Sequence, residues 1–370
     1  MLNKKIRIGI DVNEANTTNR VGSNQYAYQI IKSLNKIDKT NDYTLYSGKK
    51  IIKDLPKERA GWRYKVIPPS KLWTQWRLPI ELHRDKKNLD VFFSPGHYAP
   101  RTCPVPSVVS IMDLAFLLFP NFYKKKDAIQ LTSWTKYSVK NADHIITISE
   151  NTKKDIKKHY KIKSKKITIA YPGFESKPDS KKQNSKVLKK YGISKGYILY
   201  LGTIQPRKNL VRLVQGFNQL NSPHHLVIAG KKGWLTDDLE KEVLKSNKKK
   251  KIHLTGYIDN QDVSSIISQS SCLVLPGLYE GFGIPALEAL VQGIIPVVSH
   301  TGSLPEVIGE SGLLIDPYSS DSISKGITNA IKLDTGKKKT MLSKAKPHIK
   351  KFDWQLSAKK ILKVLHEVSI

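Results

Sequence analysis

The sequence predicts an α/β protein made of two doubly wound domains facing a cleft. Three observations carry this. Short apolar runs that read as buried parallel strands alternate with helical segments on both sides of a boundary. The boundary, Ser176 to Gly192, is polar and rich in lysine and serine, as linkers between domains are. The chain has 370 residues, enough for two cores of ordinary size. The domains are expected at 1–175 and 193–352, with a last helix over 353–370.

The first half opens with a strand, Ile6 to Asp11, that ends in a carboxylate. A polar loop from Asn13 to Arg20 leads to Gly22-Ser23-Asn24, and a helix then carries Ala27, Ile30, Ile31 and Leu34 on one stripe. Tyr43 to Tyr46 is the next strand. Lys71 to His83 holds Trp73 and Trp76, read as core-facing aromatics in preference to an acceptor or membrane-edge surface. Val91 to Ser94 and Ser107 to Met112 are strands, with Pro95-Gly96-His97-Tyr98 between them and Asp113 after the second. Ligands of an open parallel sheet lie beyond the carboxyl ends of its strands, which puts His97 and Asp113 at the cleft. Lys124 to Lys140 reads as a basic helix. His144 to Ser149 is a strand, and Ser149 caps the helix that carries Lys153, Lys154, Lys157 and Lys158. Ile167 to Ala170 closes the half.

The second half begins with the strand Tyr197 to Leu201. Gly202-Thr203-Ile204-Gln205-Pro206-Arg207-Lys208-Asn209 follows, then a helix. Two cations at a strand end suit a diphosphate, Arg207 by its planar fork and Lys208 as a point charge. Leu226 to Ala229 and Ile252 to Thr255 repeat the rhythm, and Tyr257 follows the latter. Cys272 to Leu275 is another apolar strand. It leads into Tyr279-Glu280-Gly281-Phe282-Gly283-Ile284-Pro285-Ala286-Leu287-Glu288. Here two glycines permit a sharp turn and Pro285 fits the first position of a helix. Strand, glycine turn and helix start make an anion site from backbone N–H groups. Glu280 and Glu288 flank it. Carboxylates repel a bare phosphate but accept hydrogen bonds from hydroxyls, so the stretch suits a sugar nucleotide or phosphosugar. Pro296 to Ser299 and Gly312 to Ile315 add strands, and Trp354 to Val368 is an amphipathic last helix.

Bulk properties narrow the classes. The formal charge is +32, with 63 lysines and arginines against 31 acids. Such a balance implies an anionic partner, although lysines are scattered along the whole chain. No nucleic-acid-binding module is recognisable, so no nucleic acid is expected. The two cysteines, Cys103 and Cys272, fit a reducing compartment and cannot build a four-ligand zinc site. The start of the chain lacks the apolar core of a leader peptide. No run approaches the ~18 apolar residues of a membrane helix.

Glu280 through Glu288, followed by Ala289-Leu290, Gly293, Pro296-Val297-Val298 and Gly302-Ser303-Leu304-Pro305-Glu306, resembles the signature of the retaining family 4 glycosyltransferases. These have the GT-B fold of two Rossmann-like domains. The resemblance extends more weakly over nearly the whole chain. It implies that Glu280 contacts the donor sugar and Glu288 the nucleotide ribose. It also implies that Arg207 and Lys208 stabilise the leaving diphosphate, that Gly22 lies near the donor phosphate, and that Tyr257 sits beside the base. Gly281, Phe282, Gly283 and Ile284 belong to the same donor site. Where family members often carry a second glycine this chain has Asn24. Where they often carry His before the strand-end Asp it has Met112, which leaves Asp113 alone beside Glu280 as a catalytic candidate. Thr203 stands where some members have Arg. Phe352-Asp353-Trp354 resembles the join at which the terminal helix crosses back to the first domain.

The expected function is therefore retaining, metal-independent transfer of a hexose from a nucleotide sugar. The donor would be GDP-mannose or a UDP-sugar, and the Gly202 to Asn209 loop resembles mannosyltransferase-like members. The acceptor would be a glycan or a lipid-linked sugar in cell-envelope synthesis. No cofactor is expected, since no Asp-x-Asp motif is present. The protein is expected in the cytoplasm, with peripheral contact to an anionic membrane through the lysines of the first half. The rivals are a sugar-nucleotide-binding protein without catalysis, a phosphorylase of similar fold with pyridoxal phosphate, and a nicotinamide dehydrogenase. The last would need a G-x-G-x-x-G after the first strand, and Gly22-Ser23-Asn24 is not one.

Overall fold

The computed structural model describes residues 4–20, 22–174 and 181–369, with residues 181–184 described in backbone only. The first residues of the chain and residues 175–180 of the expected linker lie outside the described residues. The chain divides into two compact units, Met1–Gly173 with Phe352–Ile370, and Phe174–Lys351. The helix Lys181–Lys190 belongs to the second.

Unit 1 holds one parallel sheet of seven strands: β1 (Arg7–Asp11), β2 (Asp42–Ser47), β3 (Trp62–Val66), β4 (Val91–Ser94), β5 (Ser107–Ile111), β6 (His144–Thr147) and β7 (Ile167–Ile169). Their order is β3-β2-β1-β4-β5-β6-β7. The inner strands are covered on both faces, and Ile8, Ile10, Phe92, Phe93 and Ile111 are fully buried. This is why these segments are apolar runs rather than alternating ones.

β3 escapes the sequence reading for a physical reason. It is an edge strand that is buried only at Trp62, with Arg63 and Val66 exposed and Tyr64 and Lys65 half-buried. Lys65 on it is held by Glu81 at 2.7 Å and Asp85 at 2.8 Å. Charges of this kind protect an edge from pairing with another chain, and they hide the strand from a search for apolar runs.

The aromatic segment after β3 also departs from expectation. Trp73 is core, but Trp76 is 62% exposed and Leu72 beside it 54%. Trp73–Arg77 forms a single π-helical stretch. That wider turn spaces the two tryptophans onto different faces.

The helix Trp354–Val368 begins at Asp353, whose carboxylate accepts the Leu356 N–H at 2.8 Å. It packs on the helix Ser23–Ile37 within unit 1. Trp354 meets the Tyr26 ring edge-on at 5.8 Å, and Ser357 Oγ donates to the Tyr171 carbonyl at 2.5 Å. Phe352 is fully buried against the Tyr171 ring.

Unit 2 holds a second parallel sheet of six strands: β8 (Tyr197–Leu201), β9 (Leu226–Ala229), β10 (Ile252–Gly256), β11 (Ser270–Leu275), β12 (Pro296–Ser299) and β13 (Leu313–Ile315). The order is β10-β9-β8-β11-β12-β13. Each sheet reverses its winding once, between β1 and β4 in unit 1 and between β8 and β11 in unit 2. A crevice opens at such a point, because the loops on its two sides leave in opposite directions. Among the described residues no helix is long and apolar enough to cross a membrane.

Candidate active site

The reversal point of unit 2 carries the densest polar cluster expected from the sequence. β8 ends at Leu201, and a short 3-10 turn, Pro206–Lys208, presents Arg207 and Lys208. Asn209 terminates the turn in left-handed conformation, φ 61°. Its buried amide donates to the carbonyls of Pro276 at 2.9 Å and Pro317 at 2.6 Å. The cationic loop is thereby tied to the loop that follows β11. A backbone bond from Leu278 N to the Arg207 carbonyl, 2.9 Å, makes a second tie.

Across that seam lies Glu280, only 6% exposed. Lys208 Nζ reaches both of its carboxylate oxygens, at 2.5 and 2.6 Å. Arg207 reaches one of them at 3.3 Å and donates to the Tyr279 carbonyl at 2.7 Å. A buried carboxylate is costly unless paired and hydrogen-bonded, and here two cations meet it. The sequence reading gives Glu280 and the Arg207–Lys208 pair separate tasks on one ligand. In the structure they are one ion cluster. Tyr200, buried beneath, feels it too: burial first and the Glu280 charge second push its phenol far above the ordinary range.

The turn after Glu280 is shaped by close backbone approach. Gly283, φ 105°, precedes the helix Ile284–Val291, and a Cβ there would meet Leu304 Cδ2 at 2.4 Å. Pro285 is thus the second helical residue rather than the first. Gly302, φ 64°, faces the Glu280 backbone, and a Cβ on it would come within 2.9 Å of both Glu280 N and O. Ser303 Oγ donates to the carbonyls of Glu280 at 2.8 Å and Phe282 at 2.9 Å. The Phe282 ring is buried, so the residue offers its backbone to the site. Glu288 is half-buried in the second turn of the helix. Tyr257 is half-buried after β10, two strands out from β8.

Gly302, Ser303 and Tyr200 were not singled out as site residues. The first two stand in the quoted signature and hold Glu280 from behind. Their signal is a Gly-Ser pair after an apolar strand, which reads as an ordinary turn.

Gly22 and Asp113 lie in unit 1, Gly22 after β1 at its reversal point and Asp113 after β5, one strand beyond β4. Gly22, φ 54°, caps the helix Ser23–Ile37. Asp113 is half-buried after β5 and accepts the Ala115 N–H at 3.0 Å. His97, after β4, sets its ring edge-on to Phe116 at 5.9 Å. Burial lowers its imidazole, and the Asp113 charge opposes this. Asp11 at the end of β1 is 6% exposed. Burial pushes it up to about 7 against the Asn13 N–H, which it accepts at 2.9 Å.

Known proteins resemble this chain in sequence and in fold. The group 1 glycosyl transferases match residues 181–349, and glycosyltransferase family 4 matches residues 22–177. O-antigen chain mannosyltransferase B of Escherichia coli is 26% identical over 356 residues, covering 90% of this chain and 93% of the relative. O-antigen chain mannosyltransferase RfbU of Salmonella typhimurium is 24% identical over 221 residues, 60% of each chain. Among solved structures, WaaG, a glycosyltransferase involved in lipopolysaccharide biosynthesis, superposes with a TM-score of 0.72 at 14% identity, covering 97% of this chain and 99% of its own. Anabaena Alr3699/HepE, in complex with UDP and glucose, does so with 0.71 at 16%, covering 98% and 100%. With both halves matched in this way and two parallel-sheet units in place, the chain belongs to the family 4 glycosyltransferases of the GT-B fold.

Proposed function

We propose that this glycosyltransferase moves a hexose, mannose foremost, from a nucleotide sugar to a glycan or lipid-linked acceptor of a cell-envelope polysaccharide. The observation that carries the reading is the Arg207–Lys208–Glu280 cluster at the reversal point of unit 2. Two cations supply what a departing diphosphate needs, and a carboxylate beside them supplies what a sugar hydroxyl needs. The mannosyl preference rests on the O-antigen mannosyltransferases it resembles.

In the mechanism we propose, Lys208 and Arg207 add the diphosphate to the Glu280 carboxylate they already meet. Charge developing on the leaving group is then met without a metal. An oxocarbenium-like centre forms at the anomeric carbon. The acceptor attacks from the face the diphosphate leaves, and a phosphate oxygen takes its proton, so configuration is retained. Glu280 holds the sugar, Glu288 the ribose, Tyr257 the base, and the turn Gly281 to Ile284 and Gly22 approach the phosphates. Asp113 serves the acceptor side.

A nucleotide sugar needs no further cationic face. The lysines of the helices Lys125–Asn141 and Glu150–Tyr160 support a peripheral position on anionic lipid instead, each charge being worth ~1 kcal/mol near such a surface.

A thermal-shift screen of GDP, UDP and ADP with their hexose conjugates tests the donor. GDP and GDP-mannose should raise the melting temperature most, and product should form with a mannoside acceptor. Stabilisation without transfer would favour a binding protein, and no stabilisation by any nucleotide would reject the reading.

A further inference from the structure

The loop between β1 and the helix Ser23–Ile37 is held by three polar side chains, Asn13, Asn16 and Arg20, around one carboxylate. Asn16 is fully buried. It donates to Ser47 Oγ at 3.0 Å and accepts the Ile52 N–H at 3.1 Å. Asn13 accepts the Gly48 N–H at 2.9 Å. Arg20, 7% exposed, holds the Ala15 carbonyl at 2.8 Å and clamps both oxygens of Asp54, at 2.6 and 2.8 Å. Three side chains that would favour water are thus spent on holding the backbone on either side of Glu14.

Glu14 itself points to the reversal point of unit 1. Its Cγ lies where a Cβ on Gly96 would be only 2.6 Å away, so the glycine in the β4 loop makes room for this side chain. Asn24, one residue into the helix after Ser23, donates to the Glu14 carbonyl at 3.1 Å and to its carboxylate. Tyr98 stands near enough that the Glu14 charge adds to burial in pushing its phenol up to about 12. The next residue along the β4 loop from Gly96, His97, has its Nε2 buried with no hydrogen-bond partner among the described residues. A fixed carboxylate, a phenol and an imidazole around one crevice match a neutral, hydroxyl-rich ligand.

We propose that Glu14 binds a hydroxyl of the acceptor sugar and sets the orientation in which the acceptor meets the donor. This rests on the proposed function, in which Asp113 of the same unit serves the acceptor side. It makes Asn24 a holder of that carboxylate as well as a substitute for a glycine.

The test uses the full chain with GDP-mannose and a panel of octyl mannoside, glucoside and galactoside as acceptors. Glu14→Gln should raise the acceptor KM at least tenfold. The Kd for GDP and the slow hydrolysis of donor without acceptor should stay within twofold. Gly96→Ala keeps the charge but displaces it, and should give the same split. An acceptor KM unchanged in both variants, with an active parent, would overturn this inference alone. GDP affinity that rises in Glu14→Gln would also overturn it, since the carboxylate would then be a stand-in for donor phosphate. A parent inactive on all three acceptors while binding GDP would overturn it too, and a parent that binds no nucleotide would remove the functional reading beneath it.

Discussion

Lys208 Nζ sits 2.5 and 2.6 Å from the two carboxylate oxygens of Glu280, across the seam between the loops that follow β8 and β11. The side chains are 14% and 8% exposed. Charge pairs this well shielded are screened far less by salt than surface pairs. On the proposed function the site is therefore preorganised, with the cations proposed to meet the diphosphate paired to the carboxylate proposed to meet the sugar.

Replacing Lys208 with Ala leaves Glu280 with Arg207 alone. Nucleotide binding should weaken by about 1.5–3 kcal/mol, the worth of a charged hydrogen bond. Arg207→Ala should cost a similar amount. Isothermal titration with GDP checks both. Activity of the parent should survive EDTA, and an enzyme silenced by chelator and restored by magnesium would refute the metal-free account.

Gly302→Ala tests the support behind the cluster. The new methyl would enter the Glu280 backbone at 2.9 Å, at a φ that already costs a non-glycine residue about 1–2 kcal/mol. Turnover should fall at least tenfold while the circular dichroism of the chain is kept. Ser303→Ala removes the donor shared by the Glu280 and Phe282 carbonyls and should destabilise by about 1–3 kcal/mol in urea titration.

Both supports show how unevenly the site was legible. Glu280, Arg207 and Lys208 announce themselves because they are charges placed between the end of an apolar strand and the start of a helix. Their mutual pairing does not, since Arg207 and Glu280 are joined only by the fold. Gly302 and Ser303 matter through backbone contacts that residue type does not encode. In the fold, inner strands such as β8 and β11 were readable as apolar runs. β3 was not, because Arg63 and Lys65 adapt it to an edge. Trp76 was misplaced because a π-helical turn breaks the 3.6-residue spacing on which face assignment depends.

Asp11 should leave a mark on the pH dependence of stability. Its folded carboxyl is raised to about 7, whereas an unfolded one titrates near 3.9. The folded state then binds more protons between these values. Stability from this group is full below about pH 4 and is lost as pH rises through about 7. At about 1.4 kcal/mol per pH unit the loss is bounded on the order of 4 kcal/mol. Asp11→Asn should flatten that part of the curve. Identical slopes for parent and variant in urea titrations from pH 4 to 8 would contradict the assignment.

Membrane contact is open to a direct experiment. Lys124, Lys125 and Lys126 are exposed, as are Lys154, Lys157 and Lys158, while Lys153 is half-buried. Ile129 on the first of these helices is 70% exposed. Arg101 joins this helix to the Trp76 segment: its N–H meets the Thr74 carbonyl at 2.7 Å and its guanidinium lies 4.3 Å from the Tyr137 ring centre. Exposed tryptophan beside cations suits a lipid headgroup layer. Co-sedimentation should require anionic vesicles, weaken with salt, and fall in Trp76→Ser and in lysine-to-glutamine variants. Equal binding to neutral and anionic vesicles would assign the charge to composition.

The division of labour between the two glutamates of the signature is the centre of the account, and paired calorimetry and kinetics on Glu280→Gln and Glu288→Gln test it most directly. Glu280→Gln should lose turnover by at least a hundredfold while GDP binds as tightly as before or tighter, its two cations being relieved of a competitor. Glu288→Gln should weaken GDP itself, sugar or no sugar, with a smaller loss in kcat. The reverse pattern, nucleotide affinity lost at Glu280 and turnover lost at Glu288, would contradict it.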